Sequence, residues 1–223
     1  MPSRTLIAIG GGGATHGTHS ELDRLCIGYT DSRRRIGYIG TASGDDLEKH
    51  RRFRDGFTPL AGTISKLSNE SDQDQARIWA DGLDLIYVGG GNPTLLVDHW
   101  NATGIGTVLV DAFRRGVTLA GVSAGAMCRF ESFLWRSRED GLQASEGLGI
   151  VRGSMTPHSR VEPDRRARMH GLVTRGAMPE GYAVDDGAAL VMREGDPVLP
   201  YPSEGPPFVY RIRRKDGETV LNP

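Results

Sequence analysis

The chain is poor in cysteine, lysine and aromatic residues, and no long apolar run interrupts its charged and glycine-rich stretches. Cys26 and Cys128 are its two cysteines and lie far apart, so neither a disulfide framework nor a paired CxxC metal site can be built from them. No stretch approaches the roughly 20 apolar residues that a bilayer-crossing helix needs, so no membrane partner is expected. An excess of either charge is also missing. With 27 Lys plus Arg against 28 Asp plus Glu the formal net charge is −1, which argues against a nucleic-acid binder that works by neutralising phosphates. The N-terminal run Met1-Pro2-Ser3-Arg4 enters a short apolar segment that ends in glycine, without the apolar region and cleavage site of a leader peptide, so the cytoplasm is the expected address.

Glycine is what the chain has in abundance: 31 of 223 residues, against a usual share of ~7%. Many backbone positions must therefore turn sharply or approach another group closely. A chain of this length is expected to form one domain over residues 1–223 around its own core.

Short apolar runs at Thr5 to Ile9, Ile36 to Ile39, Leu83 to Val88 and Val117 to Val122 fit strands buried on both faces. Helical patterns lie between them at Glu21 to Tyr29, Asp46 to Ala61, Asp72 to Asp81, Pro93 to Asn101 and Thr107 to Arg115, with another from Ala124 to Phe133. Alternation of strand and helix implies an α/β fold, a mostly parallel sheet flanked by helices in three layers. Beyond residue 180 the pieces shorten to Ala188 to Met192, Val198 to Tyr201 and Phe208 to Arg213, expected as closing strands of the same domain.

The strongest chemical signal is Gly121-Val122-Ser123-Ala124-Gly125, which follows a buried strand and opens a helix. A serine on such a turn, with glycines where neighbouring side chains would clash, projects its hydroxyl beyond the sheet as a nucleophile. Gly89-Gly90-Gly91-Asn92 ends another strand and starts another helix, where ligands sit in open α/β sheets. Its N–H groups suit an oxyanion, with the N–H of Ala124 as the second donor. Serine needs a base, and His158 in Pro157-His158, 35 residues beyond Ser123, has suitable intrinsic chemistry.

A third group must orient the imidazole. Between Ser123 and His158 the acids are Glu131, Glu139, Asp140 and Glu146. Glu131 would be carried away along the expected helix, so Asp140 is favoured, with Glu139 next to it. His16 and His19 flank the first glycine run without a recognisable third metal ligand, so no metal is expected. Gly10-Gly11-Gly12-Gly13 lacks the spacing of a dinucleotide fingerprint, and no phosphate-binding lysine follows it. No cofactor is called for.

Taken in order, Gly10 to Gly13, Thr41-Ala42-Ser43, Gly89 to Asn92, Gly121 to Ala126, Gly147-Leu148-Gly149 and Pro157-His158 resemble the peptidase E family of serine peptidases, which includes the α-aspartyl dipeptidases and is related to cyanophycinases. The resemblance runs from about residue 5 to residue 195. It implies a class I glutamine amidotransferase-like fold with Ser123 in place of the amidotransferase cysteine, and His158 as general base. It also implies an oxyanion hole of Gly91 and Ala124, and Asn92 and Arg165 as substrate-binding residues, Arg165 for an acidic side chain.

The implied activity is hydrolysis of short peptides, aspartyl dipeptides among them, through an acyl-enzyme on Ser123. A relative of the same family without aspartate preference is the alternative. In many relatives an aspartate stands 13 to 15 residues after the nucleophile, where this chain has Arg136, Ser137 and Arg138. That gap keeps an inactive binding protein on the same scaffold as a reading from another class. The partner is a short peptide substrate, and the sequence leaves the oligomeric state open, a homodimer included.

Overall fold

The structure is a computed structural model that describes residues 4–30, 33–202, 206–215 and 217–221; Met1 to Ser3, weighed above for a leader, lie outside them. The chain runs through β1 (Thr5–Ile9), α1 (Ser20–Ile27), β2 (Arg35–Ile39), α2 (Leu47–Phe57), β3 (Thr63–Leu67), α3 (Gln73–Asp81), β4 (Leu85–Val88), α4 (Pro93–Thr103), α5 (Ile105–Arg114) and β5 (Thr118–Val122). It continues through α6 (Ala124–Met127), β6 (Phe130–Ser137), β7 (Gly141–Glu146), β8 (Val151–Thr156), α7 (Asp164–Thr174), β9 (Gly181–Val184), β10 (Ala189–Arg193), β11 (Asp196–Tyr201), β12 (Val209–Arg213) and β13 (Gly217–Val220).

Seven strands form the first sheet in the order β11-β10-β1-β5-β4-β2-β3. From β1 to β3 all pairings are parallel, and β10 and β11 extend one side antiparallel. Strand alternation divides its side chains between two cores. Leu6, Ala8, Ile86 and Val88 face Ala76 and Ala80 of α3, Leu96 and Trp100 of α4 and Leu109 of α5. Ile7, Ile9, Leu85 and Tyr87 face Leu22 and Cys26 of α1 and Phe53 and Phe57 of α2. Both faces are thus covered by helices, and the helix, sheet, helix layering is the one expected.

A second, six-stranded sheet, β13-β12-β9-β8-β6-β7, was not expected. The helix read over Ala124 to Phe133 stops at Met127, and the chain enters this sheet at Phe130. One face, through Phe130, Phe133, Met155 and Val184, joins the core under α3 to α5. The other, through Leu134, Ala183 and Ile212, is covered by Met169, Leu172 and Val173 of α7. Ala188 to Met192 and Val198 to Tyr201 close the first sheet, whereas Phe208 to Arg213 belongs to the second.

Candidate active site

Ser123 stands immediately after β5 with φ 53° and ψ −114°, a backbone conformation rarely adopted by a residue with a side chain. The surroundings impose it. Ser123 donates its N–H to Ile9 O at 3.0 Å, and its carbonyl accepts from the N–H groups of Ala126 and Met127 at 3.0 and 2.9 Å. The flanking glycines are steric necessities: a Cβ on Gly121 would stand 2.5 Å from Gly125 O, and one on Gly125 would overlap Val88 O. The chain therefore leaves the sheet in one sharp step, and the serine hydroxyl is delivered at the carboxyl end of β5.

His158 follows β8 of the second sheet and also has positive φ, at 56°. Its Nε2 lies 2.9 Å from Ser123 Oγ, and its Nδ1 lies 2.6 Å from Oδ1 of Asp186. Asp186 occupies the connection from β9 of the second sheet to β10 of the first, so three strand ends meet at one point. Next to it, Asp185 binds the loops together: one oxygen accepts from Ser159 Oγ at 2.6 Å, the other from the Phe208 N–H at 2.9 Å. Burial pushes the Asp186 carboxyl up, but the hydrogen bond and charge of His158 more than offset this and hold it below its ordinary value.

The carboxylate on His158 is thus Asp186, neither Asp140 nor Glu139. Those two are exposed at the turn from β6 to the edge strand β7, their backbone N–H groups donating to Ser137 Oγ. The β6 and β7 hairpin takes them out along the second sheet, where they form no hydrogen bond to the imidazole. The sequence signal for Asp186 is Asp185-Asp186-Gly187 at the end of an apolar strand, outside the interval between Ser123 and His158.

The first glycine run belongs to this site as a wall. Gly11 forms a parallel bridge with Asp186, and Gly187 donates its N–H to Gly11 O at 2.9 Å. His19 packs against Gly12 and Gly187, whose Cβ atoms would stand 2.6 and 2.8 Å from its ring. His16 Nδ1 lies 3.1 Å from Gly12 O, to which it can only donate, and 3.1 Å from Thr15 Oγ1; burial and the charge of Lys49 lower its pKa.

On the opposite side of Ser123 lies the run Gly89 to Asn92. A Cβ on Gly90 would stand 3.3 Å from Ser123 Cβ, so the backbone there lies against the nucleophile. Among the described residues, the N–H groups of Gly91 and Ala124 have no acceptor. Asn92 spends its side-chain oxygen capping α4, accepting from the N–H groups of Thr94 and Leu95 at 3.0 and 3.2 Å. Arg165 is buried at 6% exposure on α7, with Nη2 3.0 Å from Glu162 Oε1 and Nη1 3.4 Å from Leu134 O. The same Glu162 accepts from Arg136 at 2.7 Å, so Arg165 is part of an ion-pair network on the second sheet.

Comparison with known proteins places this geometry in context. The model of peptidase family S51 matches residues 6–199. An uncharacterised peptidase, YgaJ, of Bacillus subtilis is 36% identical over 190 residues, covering 84% of this chain and 82% of that protein. Peptidase E of Streptomyces coelicolor is 28% identical over 170 residues, covering 75% and 68%. Among solved structures, a peptidase from an acI-B1 actinobacterium superposes with a TM-score of 0.74 at 23% identity over 99% of this chain and 94% of its own. A putative peptidase E protein from Listeria monocytogenes gives 0.66 at 15% identity, over 88% and 97%, a likeness of fold.

Proposed function

Because the chain belongs to peptidase family S51, the peptidase E family of serine-type peptidases, we propose that it hydrolyses short peptides through an acyl-enzyme on Ser123. The single observation that carries this is the continuous path from Ser123 Oγ to His158 Nε2 at 2.9 Å and from His158 Nδ1 to Asp186 at 2.6 Å.

In this reading Ser123 Oγ attacks the scissile carbonyl carbon while its proton passes to His158 Nε2. The carbonyl oxygen becomes an oxyanion, met by the N–H groups of Gly91 and Ala124. The tetrahedral intermediate collapses as His158 returns the proton to the departing amine. A water, deprotonated by the same imidazole, then releases the acid and regenerates the serine. Asp186 keeps the Nδ1 proton in place and balances the imidazolium charge.

The finer aspartyl preference depends on a cation free to meet a substrate carboxylate. Arg165, the residue assigned to that task, is engaged by Glu162 and Leu134 O. Arg165 therefore lends that preference no support, and the reading adopted is the alternative in which neutral short peptides are accepted as well. The inactive-binder reading drew its support from the absent aspartate after the nucleophile, and Asp186 on His158 withdraws that support.

The test is hydrolysis of Asp-Leu, Leu-Leu and Ala-Ala beside fluorophosphonate labelling, with Ser123→Ala as control. Labelling that depends on Ser123, with cleavage of Leu-Leu or Ala-Ala, is expected. Absence of label would remove the acyl-enzyme, and cleavage of Asp-Leu alone would restore the aspartyl preference.

A further inference from the structure

Lysine is scarce in this chain, yet Lys49 stands at the active site. It lies in the first turn of α2, whose start is fixed where Asp46 Oδ1 accepts the Lys49 backbone N–H at 2.8 Å. The side chain is half-buried, and its Nζ donates to Gly90 O at 3.1 Å. Among the described residues the ammonium has no carboxylate partner. Its charge is also felt by His16, on the wall across from the glycine run.

Gly90 O and the Gly91 N–H belong to one peptide plane and point in opposite directions across it. A peptide between two glycines can rotate by half a turn at little steric cost, because neither residue carries a Cβ. Rotation would exchange the two ends, and a carbonyl oxygen would then point where the N–H had been. An N–H attracts a developing oxyanion, while a carbonyl oxygen repels it, so the two orientations differ in catalytic consequence.

Neighbouring backbone hydrogen bonds fix the ends of this segment, but among the described residues none holds the plane itself. Gly89 donates its N–H to Ile39 O at 2.9 Å, and Asn92 donates to Ala42 O at 2.6 Å. Neither Gly90 nor Gly91 uses its own N–H in a hydrogen bond among the described residues. Among the described residues the Lys49 ammonium is therefore the one hydrogen-bond partner of this peptide's polar atoms.

Resting on the serine-peptidase reading above, we propose that Lys49 is a positioning residue that pins the Gly90-Gly91 peptide so that the Gly91 N–H is held out to the oxyanion formed over Ser123. It touches neither the nucleophile nor the base, and acts through the carbonyl at the other end of the donor's own peptide plane. An arginine could reach the same carbonyl, whereas a methionine of similar length could not hold it.

The experiment compares wild type, Lys49→Met and Lys49→Arg for kcat and KM on Leu-Leu, for fluorophosphonate labelling of Ser123, and for thermal midpoint. For Lys49→Met the expected result is a kcat lower by about 10- to 100-fold, short of the ~10²–10³ lost when an oxyanion donor is itself removed. KM should stay within about twofold and labelling should slow in parallel, while Lys49→Arg recovers most of the rate. An unaltered kcat in Lys49→Met overturns the proposal, as does a loss confined to KM, which would make Lys49 a substrate-binding group, or a failure of Lys49→Arg to recover any rate at an unchanged thermal midpoint. A wild-type protein that takes no label at Ser123 would overturn the acyl-enzyme reading and this proposal with it; a labelled wild type beside an unimpaired Lys49→Met overturns this proposal alone.

Discussion

Gly11 and Asp186 are bridged backbone to backbone so closely that a Cβ on Gly11 would overlap Asp186 Oδ1 and stand 3.0 Å from His158 Nδ1. A residue in the first glycine run thus shapes the site by having no side chain, since the hydrogen-bonded pair fills the space one would take. Gly11→Ala should push the carboxylate off the imidazole and lower kcat/KM by at least ~10²-fold, the scale expected when a reacting group is displaced by about 1 Å. Far-ultraviolet circular dichroism should be unchanged. An active Gly11→Ala protein would mean that the bridge relaxes without cost.

Replacing Asp186 separates the carboxylate bonded to His158, the orienting group of the proposed mechanism, from those the sequence favoured. Asp186→Asn keeps the shape but lets the wrong nitrogen of His158 carry the proton, and kcat should fall by about 10³- to 10⁴-fold, as in the known serine triads. Asp140→Asn and Glu139→Gln, at an exposed turn, should retain wild-type turnover within about twofold. Activity lost on changing Asp140 and kept on changing Asp186 would reverse the assignment.

Asp23 offers a pH-dependent stability that can be measured apart from catalysis. It is 2% exposed, and its Oδ1 accepts the Ala14 N–H at 3.0 Å. Burial pushes its carboxyl up to about 6, from an ordinary value of 3.8. Because the folded value is raised, the folded protein holds a proton between about pH 4 and 6 that the unfolded chain has released. Stability therefore falls as pH rises through that window, by on the order of 3 kcal/mol at most. Asp23→Asn keeps an acceptor for Ala14, so it should stabilise the protein by about 1–2 kcal/mol at pH 7.5 and by little at pH 4. Urea midpoints at the two pH values check this; equal shifts at both would rule the burial cost out.

Arg165 should behave as a structural cation. Arg165→Met removes its bonds to Glu162 and to Leu134 O, and a stability cost of about 1–3 kcal/mol is expected. The ratio of Asp-Leu to Leu-Leu hydrolysis should stay the same. A selective loss of Asp-Leu cleavage would return Arg165 to the substrate pocket.

The first sheet was legible because β1, β2, β4 and β5 are buried on both faces and read as unbroken apolar runs. β3 was not: Thr63–Leu67 is the edge strand, largely half-exposed, and its polar residues hide it. The second sheet was obscured by Phe130, Phe133 and Leu134, whose spacing imitates one face of a helix. A register shift between Phe130 and Ser132 breaks the two-residue alternation, so Phe130 and Phe133 reach one core while Leu134 reaches the other. The juxtaposition of Ser123 and His158 was legible because each carries a local signature. Asp186 was not, because the relation that defines it is spatial, created when the end of β9 is laid beside Gly11.

The three groups come from different parts of the architecture: Ser123 from the first sheet, His158 from the second, and Asp186 from the segment that passes between them. In the serine-peptidase reading proposed above, Ser123 emerges during synthesis well before its base and orienting acid, and until both sheets have joined its hydroxyl should be no more reactive than that of any other serine. On that reading hydrolytic power arrives with the final architecture. A half-built molecule would then be inert, and the onset of turnover during refolding would time the closing of the seam between the two sheets.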